Sequence, residues 1–424
     1  MAAGAAVLVW QLLLPGFTGI ANNGDFGKVC AWLSLAPKGG ETNFVYFQPV
    51  YERRGANYWN SPYHSSETAL AWVATRVAGV TDEFDIRWLG GVHAVLWLAA
   101  LGVLLAGLRG RAAAIAILPV VMFTDVCYAA YFNSFYMDAA ALCGLLLMTA
   151  IAVWMGERPR TGQVILFSAA AVLFATSKGQ HAIWAVLPAL WLMARVRTRA
   201  AWVGATVVLA AGGWMIAASD RTYRAQAIFN VAFFRLGPRG ADLTELGVRP
   251  EELRYRGMHS YTAGAPVTDR EWAEKFYART GFARLARWYA RHPASTARIL
   301  WATLAEGGPE MRPVNLGNYR VEDGHAAGAR TERFALWSDL RSRLLARWPW
   351  HMVVWYGVFV AACVAVRSWV GLGVALLGAG EFAAAGLGDS LDAGRHLFLF
   401  HAATDLTLCF AAAWAIQRAM RHKP

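Results

Sequence analysis

Charge is scarce in this chain. Asp, Glu, Lys and Arg make up 16% of its 424 residues, where an ordinary soluble protein carries about 25%. With 57% hydrophobic residues, that shortage excludes a disordered chain, a fibrous repeat and an ordinary cytosolic enzyme. Cysteine is scarce too. Cys30, Cys127, Cys143, Cys363 and Cys409 form no CxxC pair and no metal spacing, and four of them lie in apolar runs, so neither a disulfide framework nor a zinc site is expected. There is no P-loop, no GxSxG and no HExxH, which removes P-loop ATP-driven pumps, serine hydrolases of that type and zincins. No fixed-period repeat and no low-complexity tail occur.

What the chain has instead is long apolar runs. Windows of about 17–22 residues match a hydrocarbon core about 30 Å thick. Ten stand out: 3–20, 88–107, 112–130, 137–155, 163–180, 182–195 (the shortest), 201–218, 350–366, 369–387 and 395–416. Residues 1–20 lack a basic n-region and a clear A-x-A site before Asn22, so they read as a helix rather than a cleaved signal. The expected fold is an all-α polytopic membrane protein of about ten transmembrane helices, with loop helices and a small domain outside the cytoplasm.

Lys and Arg number 40 against 28 Asp and Glu, a formal net charge of +12. In a membrane protein this excess belongs on cytoplasmic loops and beside anionic headgroups, so membrane lipids are expected partners and nucleic acid is not. Arg109 and Arg111, Arg158 and Arg160, Arg195 to Arg199, Arg367, and the tail with Arg418, Arg421 and Lys423 all fall inside if the N-terminus is cytoplasmic. The outer face then carries the long first loop, 21–87, and the segment 219–349. The expected division is 1–218, an N-terminal transmembrane module; 219–349, an extracytoplasmic helical and irregular domain; and 350–424, the closing transmembrane helices. TALAWVATRVAGV in the first loop reads as an interfacial helix. The 20 Trp suit interface belts and sugar-stacking surfaces alike.

Intramembrane polar residues are costly, so each is a functional candidate. Four outer turns hold them: Asp25 in ANNGDFGKV; Asp125, then Asn133, Tyr136 and Asp138 in YFNSFYMD; Lys178, Gln180 and His181 in SKGQH; and Asp389, Asp392, Arg395 and His396 in GDSLDAGRH. A carboxylate at such a turn can deprotonate a hydroxyl or steady positive charge at a sugar carbon. Asp25, between flexible glycines, suits that role, and an Asx turn closing the first helix is the alternative. Lys178, Arg395, His181 and His396 supply cations where a lipid phosphate sits, with headgroup snorkelling as the plainer reading for the first two and a structural role for the histidines. Asp138 is equally placed as a first-turn acid of the fourth span. Glu381 and His401 fall at similar depth, and His401 and Asp405 share a helix face, which predicts a polar network between the last two helices. The outer loops contain no DxD, and Asp389 with Asp392 gives only a D-x-x-D. The aromatic residues of 44–63 can cradle a sugar or polyprenyl chain or anchor at the interface.

A long first outer loop with an acid just after the first helix, many spans and a late outer domain resemble the GT-C membrane glycosyltransferases. ANNGDFGKV, YFNSFYMD, SKGQH and GDSLDAGRHLF are also similar to segments of the bacterial hexose transferases of the S-layer-glycan (WsfD-like) kind. These motifs are scattered along most of the chain, with 219–349 unmatched. The resemblance implies a polyprenyl-phosphate-linked sugar donor, a glycan or lipid-linked acceptor, and transfer on the extracytoplasmic side of a bacterial plasma membrane. It implies that Asp25 is the first-loop acid, acting as base or acceptor-orienting group, and that Lys178 and Arg395 contact the donor phosphate. Many members carry an acidic pair in that loop. Here Asp25 has no acidic neighbour, and Glu41, Glu52 and Glu67 are only distant candidates for a second acid, which favours a metal-free reaction with no cofactor. Two rival readings stay open: a transporter or flippase of a lipid-linked or small polar solute, which requires a polar path to both faces, and a non-catalytic assembly partner, for which Asp25, Lys178 and Arg395 need not converge.

Overall fold

The computed structural model describes the chain except residues 40–44, 54–61, 80, 109–114, 157–158, 389–390 and 422–424. In chain order its elements are α1 (Ala2–Leu12), α2 (Gly27–Leu33), β1 (Leu35–Pro37), β2 (Val50–Arg53), α3 (Ser66–Val77), β3 (Glu83–Asp85), α4 (Arg87–Gly107), α5 (Ile117–Phe123), α6 (Val126–Phe132), α7 (Asp138–Met155), α8 (Thr161–Ala175), α9 (Gly179–Ala182) and α10 (Val186–Trp191). There follow α11 (Arg199–Ala218), α12 (Arg221–Phe229), α13 (Arg270–Thr280), α14 (Phe282–Arg291), α15 (Pro293–Ala302), α16 (Leu336–Arg347), α17 (Trp350–Ala365), α18 (Trp369–Gly388), α19 (Ala393–His396) and α20 (Phe398–Arg421).

The protein is helical and built for a membrane, as its apolar windows imply. Among the described residues, however, five helices are long and apolar enough to cross one: α4, α7, α11, α18 and Phe398–Ala419 of α20. The pair α16 and α17, bent by 106° at Trp348–Pro349, makes a sixth if counted as one span. Of the ten expected windows, five or six thus hold a described helix of full spanning length; the others hold shorter or broken apolar helices such as Ala2–Leu12 and Thr161–Ala175, each for a local reason. Window 3–20 stops being helical at Leu12, ahead of Pro15 and a Gly16 in the left-handed region (φ +75°). Window 112–130 is cut in two because Asp125 caps α6 in its middle. The helix in window 163–180, α8, is 15 residues long. Residues 183–196 alternate between tight, regular and wide helical turns around Pro188. The three short strands form an antiparallel sheet in order β1-β2-β3 inside the first loop, with Tyr51 opposite Phe84. That sheet has no counterpart in the all-α expectation.

One hydrophobic core joins the N-terminal helices, α7, α8, α11 and α20. Helix α7 is its axis, with Asp138 to Leu145 buried without a break. At Gly144 a side chain would meet the Phe174 backbone nitrogen of α8 at 2.7 Å and its Cα at 2.9 Å, the close helix approach that small residues permit in membranes. Gly144→Ala is expected to cost about 1–3 kcal/mol by overpacking. Thermal unfolding of the detergent-purified protein checks this, and an unchanged midpoint would show that the two helices slide apart freely.

Residues 225–299 hold a second core of their own, centred on Phe229, Phe233, Trp272 and Phe276. From Leu304 onward the chain packs back into the helical body: Leu304 and Leu345 join Met352, Ala385, Leu397 and Phe400. The aromatic first-loop residues act largely as core, with Phe47, Tyr51 and Tyr63 at 2%, 1% and 8% exposure. Phe44, Tyr58 and Trp59 lie outside the described residues, as do Glu41 and Asp389. Helix α3 buries Glu67, Ala71 and Ala74 and exposes Trp72, Val73 and Val77, an amphipathic surface that suits an interface.

Candidate functional site

The segment after α1 folds for reasons written in its residues. Asn22 Oδ1 accepts from the Gly24 and Phe26 backbone amides, and Asn23 Oδ1 accepts from that of Asp25. Gly24 takes φ +98° to allow the turn. The asparagines thus make the Asx turn, and the Asp25 carboxylate is left to act elsewhere. Asn315 pins this turn from the far side of the sequence. It exchanges two hydrogen bonds with Ala21, and its amide also donates to the Tyr136 hydroxyl at 2.9 Å.

Asp25 meets two cations. One oxygen lies 2.6 Å from Lys28 Nζ, one helical turn on, and the other is in direct contact with Arg395. Arg395 also pairs with Asp392 at 2.8 Å and lies over the Tyr136 ring, 5.1 Å from its centroid. Asp392 sits in the left-handed region (φ +54°), a conformation that costs a non-glycine residue energy and collects at functional sites. Lys178 Nζ is 3.7 Å from Asp138, the first residue of α7, where the helix dipole also favours an acid. Arg395, His181 and His396 lie within electrostatic range of Asp138 as well, and Lys178 is within range of Asp25 and Arg395. Burial works against an ionised Asp25, but Lys28 and Arg395 outweigh it and hold its pKa well below the usual carboxylate range.

The structure therefore brings together Asp25, Tyr136, Asp138, Lys178, Arg395 and His396. His181 and Gln180 lie just below, both bonded to Glu381, at 2.7 Å and 2.8 Å. This corrects the expected Glu381–His401 network: Glu381 faces the 179–196 helical run, and neither ring nitrogen of His401 has a hydrogen-bond partner among the described residues. Asp405 accepts instead from Tyr128 (2.6 Å), Trp337 (2.9 Å) and Arg341 (2.8 Å).

Two candidates belong to the scaffold. Asp125 accepts from the amides of Cys127, Trp337 and Ser338, capping α6 with one oxygen and α16 with the other. Asn133 donates to the carbonyls of Leu12 and Thr18, holding the break after α1 against the break after α6. Both are fully buried, and their side chains are committed to backbone. Glu67, once a candidate second acid, is buried against His93 at 3.2 Å.

Four contributors carried weaker sequence signals. Lys28 stood inside ANNGDFGKV at i+3 from Asp25, a spacing that pairs charges on a helical turn. Asp392 stood in GDSLDAGRH. Tyr223, whose ring lies 4.6 Å beneath Lys28 Nζ, and Asn315 gave no local signal. Glu310 packs its backbone against Gly394, where an added side chain would meet the Glu310 carbonyl oxygen at 2.7 Å. Burial and the nearby Asp392 raise its pKa.

Chemically, the cluster offers a carboxylate shared between two cations, a third cation paired with a helix-capping acid, and an aromatic ring under the guanidinium. Such a set can exchange its internal ion pairs for a phosphate and leave a carboxylate facing a hydroxyl. Below it, two small apolar cavities, of about 70 and 50 Å³, flank the far half of α7 and are lined by residues such as Trp97, Leu146 and Phe410, and Leu145, Trp191 and Val374. Neither contains a charged residue.

No curated protein and no solved structure matches the chain. The family model described as the YfdI N-terminal transmembrane domain matches residues 2–424. With its apolar spans and polar cluster at one end of them, the chain belongs to that family, a GT-C-like family of membrane glycosyltransferases.

Proposed function

We propose that this protein moves a sugar from a polyprenyl-phosphate donor to an acceptor hydroxyl, a glycan or a lipid-linked one, on the extracytoplasmic face of a bacterial plasma membrane, with a specificity akin to the S-layer-glycan hexose transferases. One observation carries the reading: Asp25 bridges Lys28 and Arg395, with the Lys178–Asp138 pair beside them. The sidedness rests on the arginines of the opposite turns, which the positive-inside rule assigns to the cytoplasm.

In this mechanism the donor phosphate competes for Arg395, Lys28 and Lys178, whose charges compensate the leaving group, so no cofactor is required. As Arg395 and Lys28 turn towards the phosphate, Asp25 loses its partners and gains basicity. It then takes the acceptor hydroxyl proton while that oxygen bonds to the anomeric carbon and the carbon–phosphate-oxygen bond breaks, releasing polyprenyl phosphate. Tyr136 and Asp138 keep Arg395 and Lys178 in place, and His181, Gln180 and His396 support them.

The direct test is incubation of the purified protein with labelled polyprenyl-phosphate sugars and identification of the product. Arg395→Ala is expected to weaken donor use by about 10–100-fold, the worth of a charge-assisted contact, and acceptor use much less, with partial recovery in Arg395→Lys. Equal loss for both substrates would assign Arg395 a purely architectural role.

A further inference from the structure

The unit formed by residues 225–299 contains a cavity of about 480 Å³, separate from the Asp25 cluster. Its wall includes Arg239, Asp242, Trp288, His292, Ser295 and Arg298. Three observations indicate what it holds. First, its charge: Arg239 and Arg298 are exposed guanidiniums at the rim, in a unit with 12 Lys and Arg against 7 Asp and Glu. The Asp242 carboxylate is engaged by the Thr244 amide and hydroxyl at 2.9 Å and 2.7 Å, whereas Arg239 is tied at only one nitrogen, to the Arg235 carbonyl. Second, the wall includes Trp288, 5% exposed; its indole N–H, without a hydrogen-bond partner among the described residues, is closed off from the cavity, so the aromatic ring is what an occupant meets. Third, the indole is held rigid: His292 stacks on it at 4.4 Å and 21°, and its Nδ1 lies 2.9 Å from the Trp288 carbonyl.

The volume falls within the range for small-molecule sites, about 300–1000 Å³, and is far too large for a lone ion. The polar lining suits a hydroxyl-rich body rather than an acyl chain. Two arginines match a phosphate or carboxylate by charge and by fork geometry. We propose that this cavity binds a saccharide carrying a phosphate or carboxylate, as a second site distinct from the transfer site. Tyr289, beside Trp288, donates its hydroxyl to the Leu387 carbonyl at the end of α18, which fixes this unit to the membrane helix leading to Asp392 and Arg395.

The test is calorimetric titration of the full chain in detergent with glucose 1-phosphate, glucuronate and glucose, repeated in Arg395→Ala to silence the phosphate-binding side of the Asp25 cluster. Both anionic sugars are expected to bind, to bind equally well in Arg395→Ala, and to lose about tenfold in affinity or more in Arg239→Ala/Arg298→Ala, the worth of one charge-assisted hydrogen bond. Glucose binding as well as its charged analogues, or anionic sugars undisturbed by Arg239→Ala/Arg298→Ala, would overturn the assignment. A parallel titration compares phosphatidylglycerol with phosphatidylcholine nanodiscs. If sugar binding disappears in phosphatidylglycerol, the cavity is a lipid-headgroup site and the saccharide assignment fails; if binding is the same in both, the saccharide is its occupant.

Discussion

Asp25→Asn is expected to reduce sugar transfer by about 10²–10⁴-fold, the usual contribution of a positioned proton acceptor, while expression and membrane insertion stay normal. The substitution keeps the shape of the side chain and its place after the Asx turn. What it removes is the charge shared by Lys28 and Arg395 and the group that takes the acceptor proton. Donor binding should survive or even tighten, because the phosphate no longer competes with a carboxylate for Arg395. The measurement is turnover with a labelled donor beside a direct donor-binding assay. Wild-type turnover in Asp25→Asn would remove Asp25 from the chemistry. Loss of both turnover and donor binding would make it a structural brace.

The second large effect is on stability. Arg341→Ala is expected to destabilise the protein by about 3–5 kcal/mol, the typical cost of stranding one member of a buried ion pair. Arg341 of α16 is the cation of Asp405 in α20, which is 0% exposed and takes its other hydrogen bonds from Tyr128 and Trp337. Since Asp125 of the α5–α6 break also caps α16, loosening Arg341 frees that helix at one end only. The melting midpoint in detergent should fall sharply, and Arg341→Met/Asp405→Asn should recover much of it, because the neutral amide oxygen still accepts from Tyr128 and Trp337 and no charge is stranded. A midpoint equal to wild type in Arg341→Ala would show that α16 is held by other contacts.

The long spans were readable before any coordinates. Helices α4, α7, α11, α18 and α20 are runs of 18 or more residues with few charges, and hydropathy identifies such runs directly. The windows whose helices are broken contain their own warnings, Pro15 and Gly16, Asp125 and Pro188, and the bend before 350–366 falls at Trp348 and Pro349. Hydropathy averages over such breakers, whereas backbone geometry responds to each one. The same contrast holds for polar residues. Asp25 and Asp125 look alike as lone acids at the end of apolar windows, yet one pairs with side chains and the other caps two helices. The difference lies in which backbone amides arrive from elsewhere, here those of Trp337 and Ser338 more than 200 residues away. Glu381 and His401 were matched by depth, but depth leaves the helix azimuth undetermined, and Glu381 points towards His181. Lys28 was legible, one turn after Asp25 in the same motif. Tyr223 and Asn315 were not, since only the long return of the chain brings them in.

Asp25 and Arg395, in contact in the finished molecule, are separated by 370 positions along the chain. Translation therefore delivers the carboxylate into the bilayer long before its guanidinium exists. During that interval, of the two cations that flank it, Asp25 has Lys28 alone. If the proposed chemistry holds, catalytic competence arrives only when the final helix enters the membrane, and a product truncated before Arg395 is expected to be inactive.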